Sequence, residues 1–289
     1  MRINTNMSAM NTYSRLTSAN ASKSGSLAKL SSGLRINKAG DDAAGLSISE
    51  KMKNQVSGLT QATRNAQDGI SLIQTAEGAL NETHSILNRM RDLSVQAANG
   101  TNSADDLSAI QDELSALTTE IDRIAQTTQF NTKQLLAEDG TVSLQIGANT
   151  SAQDSIDVQL KDMSVTGLGF AEAAEDELGD FALVEEDEEG NLTAIPDAAN
   201  ALTDKIDSAI TTVSKQRSEL GATQNRLEHT INNLTTTKEN LSEANSRIRD
   251  VDMAEEMMEF TKSNILSQAA TAMLAQANQM PQGVLQLLQ

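Results

Sequence analysis

The second half of the chain carries a sustained seven-residue repeat of apolar positions. Its members are Ala199, Ile206, Val213, Leu220, Leu227, Leu234, Leu241 and Ile248. Apolar residues at this interval form one stripe along an α-helix, and others three and four positions on widen the stripe. Pro196 and Asp197 suit a helix start, because an acidic residue there faces the positive end of the helix dipole. The pattern predicts one helix of about 50 residues, roughly 75 Å long at 1.5 Å per residue.

The first half carries two matching stripes. One consists of Met52, Leu59, Ala66, Ile73, Leu80 and Leu87, and the other of Leu107, Ile110, Leu114, Leu117, Ile121 and Ile124. Asn99-Gly100 between them is a strong turn signal. Three such stripes must cover one another, which predicts a long antiparallel helical bundle. We interpret Gly58, Gly69 and Gly78, inside the first of these helices, as points of close approach by another helix rather than as a hinge.

The apolar period changes from helical to alternating after residue 140. "TVSLQI" and "SIDVQL" place apolar residues at every second position, which predicts a β-hairpin. The segment from Ala171 to Asp197 then holds eleven acidic residues and no Lys or Arg. A second hairpin turning at Gly190 fits its last part. The acidic run is typical of a solvated loop rather than a calcium site, because its spacing fits no EF-hand.

Both ends of the chain carry apolar residues on a helical stripe. In the C-terminal stretch Leu266, Met273, Met280 and Leu287 step by seven, although Pro281 should bend or interrupt a helix there. The N-terminal stretch is thinner and contains "TSANASKSGS", which has poor helix propensity. Burying so few apolar residues does not offset the entropy cost of ordering these stretches. We therefore expect both ends to be disordered in a free subunit and to fold when neighbouring copies cover them.

Composition narrows the function classes. The formal net charge of −18 disfavours nucleic acid, because phosphate binding needs clustered basic residues. Cysteine is absent, which excludes disulfides and thiolate chemistry. We find no nucleophile–base pair, metal cluster or phosphate loop, so we predict no enzyme activity and no cofactor. No apolar run is long enough for a membrane span and no classical signal peptide is evident, so these rules alone predict a cytoplasmic protein.

The chain contains several long motifs, among them "LSSGLRINKAGDDAAGLSISEKM" from Leu30, "LSVQAANGTNS" from Leu93 and "SRIRDVDMAEEM" from Ser246. These motifs resemble bacterial flagellins, and most closely those of Gram-positive, Bacillus-like bacteria. The resemblance implies a structural subunit that self-assembles into the flagellar filament. It also changes the expected location, since flagellins are exported unfolded through the flagellar channel and become extracellular without a classical signal peptide.

The resemblance implies a mainly α fold in three parts. Residues 1–40 and 255–289 would form a helical pair lining the inner tube of the filament. Residues 41–170 and 196–254 would form a coiled-coil rod that includes the small β-hairpin. The short acidic segment 171–195 would replace the outer domains of larger flagellins.

The resemblance also implies site residues. The inner-tube interface would comprise Ile3, Met7, Met10, Leu27, Leu30, Leu34, Leu266, Met273, Met280, Val284 and Leu287. The connector between the inner and outer parts would comprise Gly40, Asp41, Asp42 and Gly45, with the glycines allowing sharp backbone changes and an aspartate capping the next helix. Arg89, Leu93, Gln96 and Glu113 match an axial subunit contact that the vertebrate Toll-like flagellin receptor also binds.

The partners implied are other copies of the chain, an export chaperone at about Asp250 to Gln289, and filament-cap and hook-junction proteins. A hook–filament junction protein or a minor flagellin is the near alternative. An intracellular coiled-coil scaffold is the alternative from another class, although it does not explain the hairpin. A membrane-surface helix at the C-terminal end is disfavoured because residues 263 to 289 contain no Lys or Arg.

Overall fold

The computed structural model describes residues 6–149, 151–170, 183–186, 192–194 and 198–287. Its helices are α1 (Met7–Ser32), α2 (Ala43–Ala97), α3 (Ala104–Thr127), α4 (Ala198–Arg249) and α5 (Met253–Leu287). Its strands are β1 (Gln129–Phe130), β2 (Lys133–Gln134), β3 (Gly140–Gln145), β4 (Ser155–Leu160), β5 (Val184–Glu186) and β6 (Leu192–Ala194). The prediction of a mainly helical fold is confirmed.

The chain divides into two compact units. The first combines Met1–Ser57 with Thr237–Gln289, and the second is Gly58–Thr236. Both divisions fall inside a helix, at residue 57 of α2 and residue 236 of α4. The predicted boundaries near residues 40 and 255 rest on the family resemblance and stay a prediction.

The predicted stripes form the core of the second unit. Ala66, Ile73, Leu80 and Leu87 of α2 are fully buried, as are Leu114 and Ile121 of α3 and Ile206, Val213 and Leu227 of α4. Two ion pairs, Arg91 Nε to Asp207 Oδ1 at 2.7 Å and Arg217 Nη2 to Glu77 Oε1 at 4.0 Å, show that α4 runs antiparallel to α2. The predicted antiparallel bundle is therefore confirmed.

A capping box begins α3 immediately after the turn that ends α2. The Ser103 hydroxyl oxygen accepts from the Asp106 backbone N–H, and Asp106 Oδ2 accepts from the Ser103 N–H at 3.0 Å. These two bonds satisfy backbone donors that the first turn of a helix leaves without partners. The Ser103 donors also lower the pKa of Asp106.

Among the described residues, the strands form three small antiparallel pairs. The predicted hairpin is β3–β4, with Val142 opposite Val158 and Leu144 opposite Ile156. The strands of the second predicted hairpin are β5 and β6, whereas Gly190 and most of the acidic run lie outside the described residues. The β1–β2 pair was not predicted. Its turn places Asn131 at φ 49° and Thr132 at φ 67°, a left-handed conformation that threonine rarely adopts.

Gly58 and Gly69 of α2 lie against the β3–β4 hairpin and not against another helix. A Cβ on Gly69 would lie 2.3 Å from Leu144 Cδ1, and a Cβ on Gly58 would lie 2.9 Å from Ala148 Cβ and 3.2 Å from its Cα. Gly78 has nothing within 4 Å of such a Cβ. The prediction of close helix approach is therefore wrong at Gly58 and Gly69, where the hairpin is the neighbour, and Gly78 has no close neighbour at all.

We expect Gly58→Ala and Gly78→Ala to change stability in opposite directions. Alanine at Gly78 should raise the free energy of unfolding by about 0.5–1 kcal/mol, because it removes the glycine penalty in a helix and meets open space. Alanine at Gly58 presses on the backbone of Ala148, so we expect a loss of about 1–3 kcal/mol. Urea denaturation of the two variants measures both changes, and stabilisation by both would contradict the close contact at Gly58.

Candidate functional site

The first unit is organised by α1 and α5, which pack against each other. Asn6 caps the start of α1, because its Oδ1 accepts from the Ala9 backbone N–H at 3.1 Å. Gly33 ends the helix at φ 71° and donates its N–H to the Lys29 carbonyl at 2.8 Å. Only glycine adopts that conformation without strain. Helix α1 therefore includes "TSANASKSGS", where the sequence predicted poor helix formation.

Helix α5 continues through Pro281 to Leu287, so the predicted interruption is wrong. Proline lacks an N–H, and the carbonyl four residues earlier, that of Ala277, loses its usual helical donor. In its place the Asn6 Nδ2 donates to the Ala277 carbonyl at 2.8 Å. One side chain thus caps α1 and also satisfies the carbonyl that Pro281 leaves without its helical partner.

Substitutions at Asn6 separate these two roles. Asn6→Asp keeps the capping oxygen and loses the Nδ2 donor, whereas Asn6→Ala loses both. We expect Asn6→Asp to weaken α1–α5 pairing by about 1 kcal/mol, because a buried carbonyl loses its donor. In a Pro281→Ala background the helix supplies its own donor, so the Asn6→Asp loss should shrink. Hydrogen exchange of α1 in the four combinations measures this coupling, and strictly additive effects would contradict it.

Polar and small side chains make much of the surface between α1 and α5, where Leu16, Leu30, Phe260 and Leu274 are half-buried. Lys23 Nζ donates to Asn264 Oδ1 and the Ser267 hydroxyl donates to Asn20 Oδ1, each at 2.8 Å. Lys29 Nζ lies 3.6 Å from Glu256 Oε2. The buried side chains are small: Ser26, Ser263 and Ala277 are 5%, 2% and 6% exposed. Polar contacts and close backbone approach therefore set the antiparallel register of the pair.

Many large apolar side chains of the pair remain exposed. Those more than 45% exposed are Met7, Met10, Tyr13 and Leu27 of α1 and Met253, Met257, Met258, Ile265, Leu266 and Met273 of α5. Exposed apolar side chains in this number are typical of an interaction surface. The pair leaves most of its described large apolar side chains exposed and only half-buries the others.

The predicted interface residues fall on this pair in different ways. Met7, Met10, Leu27, Leu266 and Met273 are exposed, whereas Leu30 and Leu34 are half-buried. Met280, Val284 and Leu287 lie in α5 by their backbone, and Ile3 lies outside the described residues. The heptad count missed the other exposed residues because they lie off its stripe: Tyr13, Met253, Met257, Met258 and Ile265.

The two segments that join α1 to α2 and α4 to α5 are tied together by backbone bonds. The Arg35 N–H donates to the Arg249 carbonyl at 2.7 Å, and the Val251 N–H donates to the Gly33 carbonyl at 3.1 Å. Arg249 Nη1 also lies 2.7 Å from Glu50 Oε1. The first segment is therefore paired with the second rather than free to swing alone.

Asp41 and Asp42 of the predicted connector act on different backbone groups. Asp41 Oδ2 accepts from the N–H groups of Asn37 and Lys38 at 3.0 and 2.9 Å, whereas Asp42 Oδ1 accepts from the Gly45 N–H at 2.9 Å. Asp42 thus provides the predicted cap, since α2 begins at Ala43. The backbone donors of Lys38 and then Asn37 lower the pKa of Asp41. The contribution of Asp41 to folding stability is therefore present above its pKa in the unfolded chain, and it is lost as pH falls through its pKa in the folded chain.

The connector glycines do not adopt the left-handed conformation, although Gly40 lies in a turn between α1 and α2, and their role in the connector stays a prediction. Among the described glycines Gly33 and Gly169 have positive φ, and Gly40 and Gly45 do not. Gly45 is needed for space instead, because a Cβ there would lie 2.4 Å from Asp42 Oδ2 and 2.7 Å from Ile36 Cδ1. Gly40 has open space around it, and the structure shows no requirement for glycine there.

The predicted axial contact is only partly a surface. Arg89 Nη2 lies 2.7 Å from Glu113 Oε1, with the two side chains 54% and 43% exposed, and Gln96 is exposed. Leu93 is 2% exposed and belongs to the core of the second unit. Its neighbour Val95, which the sequence reading missed, is 53% exposed on the same stretch of α2.

The described residues show no group of three or more His, Cys, Asp or Glu placed to hold a metal ion. Within the same residues, no helix has both the length and the apolar character needed to cross a membrane.

Comparisons with known proteins decide the family. Residues 3–141 match the bacterial flagellin N-terminal helical region, and residues 203–288 match the C-terminal helical region. The chain is 55% identical to the flagellin of Bacillus subtilis and 54% identical to that of Halalkalibacterium halodurans, with all of each chain covered. This chain belongs to the bacterial flagellin family. The predicted resemblance to Bacillus-like flagellins is confirmed, as is the prediction of a structural filament protein that is not an enzyme.

A solved structure shares the fold at low sequence identity. It is a putative flagellar hook-associated protein from Vibrio parahaemolyticus, 16% identical, with a TM-score of 0.57 and 73% of this chain covered. At that identity the likeness concerns the fold alone. The full-length identities therefore favour a flagellin over the alternatives of a hook–filament junction protein or an intracellular scaffold.

Proposed function

We propose that copies of this flagellin polymerise through the exposed apolar side chains of the α1–α5 pair. The observation that carries the proposal is that Leu266 and Met273 are 51% and 62% exposed, while Lys23 and Asn264 hydrogen-bond between the helices. A free subunit leaves this apolar area in water, and neighbouring copies can remove it from water. The helical pair would then line the inner tube of an extracellular filament.

Reassembly tests this proposal directly. Filaments of the full chain are dissociated by heat, and the released subunits are cooled and examined by electron microscopy. Subunits trimmed at Met1–Ser32 or at Met253–Gln289 are heated, cooled and examined in the same way. We expect helical filaments from the full chain and soluble subunits from both trimmed forms, with the helix content of the second unit retained. Filaments from either trimmed form would overturn the proposed interface.

The exposed apolar side chains of α5 also support a pre-export partner. An export chaperone that covers about Asp250 to Gln289 would keep Met257, Met258 and Leu266 out of water and prevent premature polymerisation. Export through the flagellar channel, and contact with filament-cap and hook-junction proteins, belong to the same proposal by family likeness.

Recognition of the free subunit by the vertebrate Toll-like flagellin receptor is a second proposal, on the surface of Arg89, Gln96 and Glu113. Leu93→Ala is a poor test because removing a buried leucine creates a cavity that costs about 2–5 kcal/mol. Arg89→Ala combined with Gln96→Ala changes exposed groups only. We expect the double variant to need about tenfold more protein for half-maximal signalling in reporter cells.

Arg123 provides the matched control for this test. It is an exposed arginine of α3 paired with Glu120 at 2.5 Å, as Arg89 is paired with Glu113. Arg123→Ala should leave signalling unchanged. Equal potency of the Arg89 and Gln96 double variant and the original protein would reject the receptor proposal.

A further inference from the structure

The described methionines differ widely in exposure, with Met52 of α2 half-buried between the two extremes. Met7, Met10, Met253, Met257, Met258 and Met273 are 49% to 67% exposed, and all six lie in α1 or α5. Met90 and Met163, in the second unit, are fully buried. Cysteine is absent, so methionine is the only sulfur-containing residue. The sulfur that a two-electron oxidant can reach in the described residues is therefore concentrated on the α1–α5 pair.

Two clusters of these side chains lie at opposite ends of the pair. Because α1 and α5 are antiparallel, with Lys29 beside Glu256 and Asn6 beside Ala277, Met7 and Met10 share one end with Met273. Met253, Met257 and Met258 lie at the other end, where Met257 and Met258 border a shallow surface groove with Ile265. Both clusters are exposed and therefore open to small solutes.

We propose that these six methionines are sites of peroxide oxidation in the free subunit, and that their oxidation prevents polymerisation. In each step hydrogen peroxide transfers one oxygen atom to the thioether sulfur. The S–O bond forms as the peroxide O–O bond breaks, the sulfur loses two electrons, and the peroxide leaves as water. The product is methionine sulfoxide, a polar side chain in place of a flexible apolar one.

The inference rests on the proposed function, because oxidation prevents assembly only if the oxidised methionines lie between polymerised copies of the chain. In a free subunit the sulfoxide oxygen is solvated and costs little. Between copies of the chain the same oxygen would be buried in an apolar contact without a hydrogen-bond donor, which is unfavourable. Oxidation should therefore act on subunits before assembly, whereas copies already in a filament shield one another.

The first measurement compares oxidation in two states of the same protein. Dilute subunits and preformed filaments receive equal hydrogen peroxide, and peptide mass mapping follows oxygen addition at each methionine. We expect the six exposed methionines to react at least about tenfold faster in free subunits than in filaments. Met90 and Met163 should stay reduced in both and serve as internal controls. Equal rates at the six sites in the two states would overturn the proposal.

The second measurement asks what oxidation does to assembly. Oxidised subunits should show at least about a tenfold higher critical concentration, and treatment with methionine sulfoxide reductases A and B should restore polymerisation. A variant with all six methionines replaced by leucine should polymerise and lose its sensitivity to peroxide. The milder variant, Met257→Leu with Met258→Leu, should polymerise and lose part of that sensitivity. Normal polymerisation of fully oxidised subunits would overturn the inference. Failure of the untreated protein to polymerise would instead overturn the proposed function, so the two failures are distinct.

Discussion

Leu266→Glu and Met273→Glu should each abolish polymerisation while leaving the folded subunit intact. The two side chains are 51% and 62% exposed, so a glutamate at either position remains solvated in the free chain. In a filament the carboxylate would enter an apolar contact between copies and lose its water. We expect the critical concentration to rise at least about a hundredfold, which corresponds to about 2.7 kcal/mol or more per subunit.

The measurement is sedimentation of polymer over a range of subunit concentrations, with circular dichroism to follow thermal unfolding of the free subunit. Ser143→Glu is the matched control, because it adds the same charge at an exposed position of β3. Ala277→Glu is the contrasting variant, since Ala277 is 6% exposed and its replacement should separate α1 from α5 within one subunit. Normal filaments from Leu266→Glu and Met273→Glu would remove the exposed apolar side chains of the pair from the assembly mechanism.

The helices of the second unit could be predicted from the sequence because the physical cause of each is local. A seven-residue apolar repeat requires one helix face to be covered, and Ile206, Val213 and Leu220 are indeed buried to 1% or less. The β3–β4 hairpin was predicted by the same reasoning at a period of two, and the structure adds its register. Alternating apolar residues place Val158 and Ile156 on one face, which pairs them with Val142 and Leu144.

The features that could not be predicted depend on contacts between distant parts of the chain. Nothing local to Pro281 shows that Asn6, far away in sequence, donates to the Ala277 carbonyl and lets α5 continue. Gly58 and Gly69 lack a Cβ because a hairpin lies against α2, and the sequence does not say which element approaches a glycine. In these cases tertiary contacts outweighed the local propensity on which the predictions were based.

The burial of Leu93 could have been predicted by following the apolar stripe of α2 beyond Leu87. The α2 repeat continues beyond Leu87 through Met90 to Ser94, and both are fully buried. Leu93 lies three residues after Met90 on the same face, and it joins the core. The comparison of Arg89, Leu93 and Gln96 with the family pointed to one stretch of α2. It did not separate the exposed side chains of Arg89 and Gln96 from the buried side chain of Leu93.

In a dilute subunit, the amides of α1 and α5 should exchange with solvent at least about a hundredfold faster than those in the buried part of α2, because they open locally rather than with the whole fold. The sequence predicted disorder at both ends of a free subunit, and the structure shows why helices there would be weakly held. Among the described side chains of α1 and α5 the fully buried ones are the small Ser26, Ser263 and Ala277, whereas α2 buries Ile73, Leu80 and Leu87. Small side chains remove little apolar area from water.

Hydrogen exchange measured by mass spectrometry distinguishes the two regions in one experiment. Peptides from α2 between Leu72 and Leu93 provide the slow reference, and the same peptides of α1 and α5 are followed in dilute subunits and in filaments. Protection of α1 and α5 should rise to the level of α2 on polymerisation, because neighbouring copies then cover Met10, Leu266 and the other exposed apolar side chains. Full protection of α1 and α5 in the dilute subunit would mean that Asn6, Lys23 and their partners hold the pair without neighbours. Polymerisation would then join preformed helices instead of completing their folding.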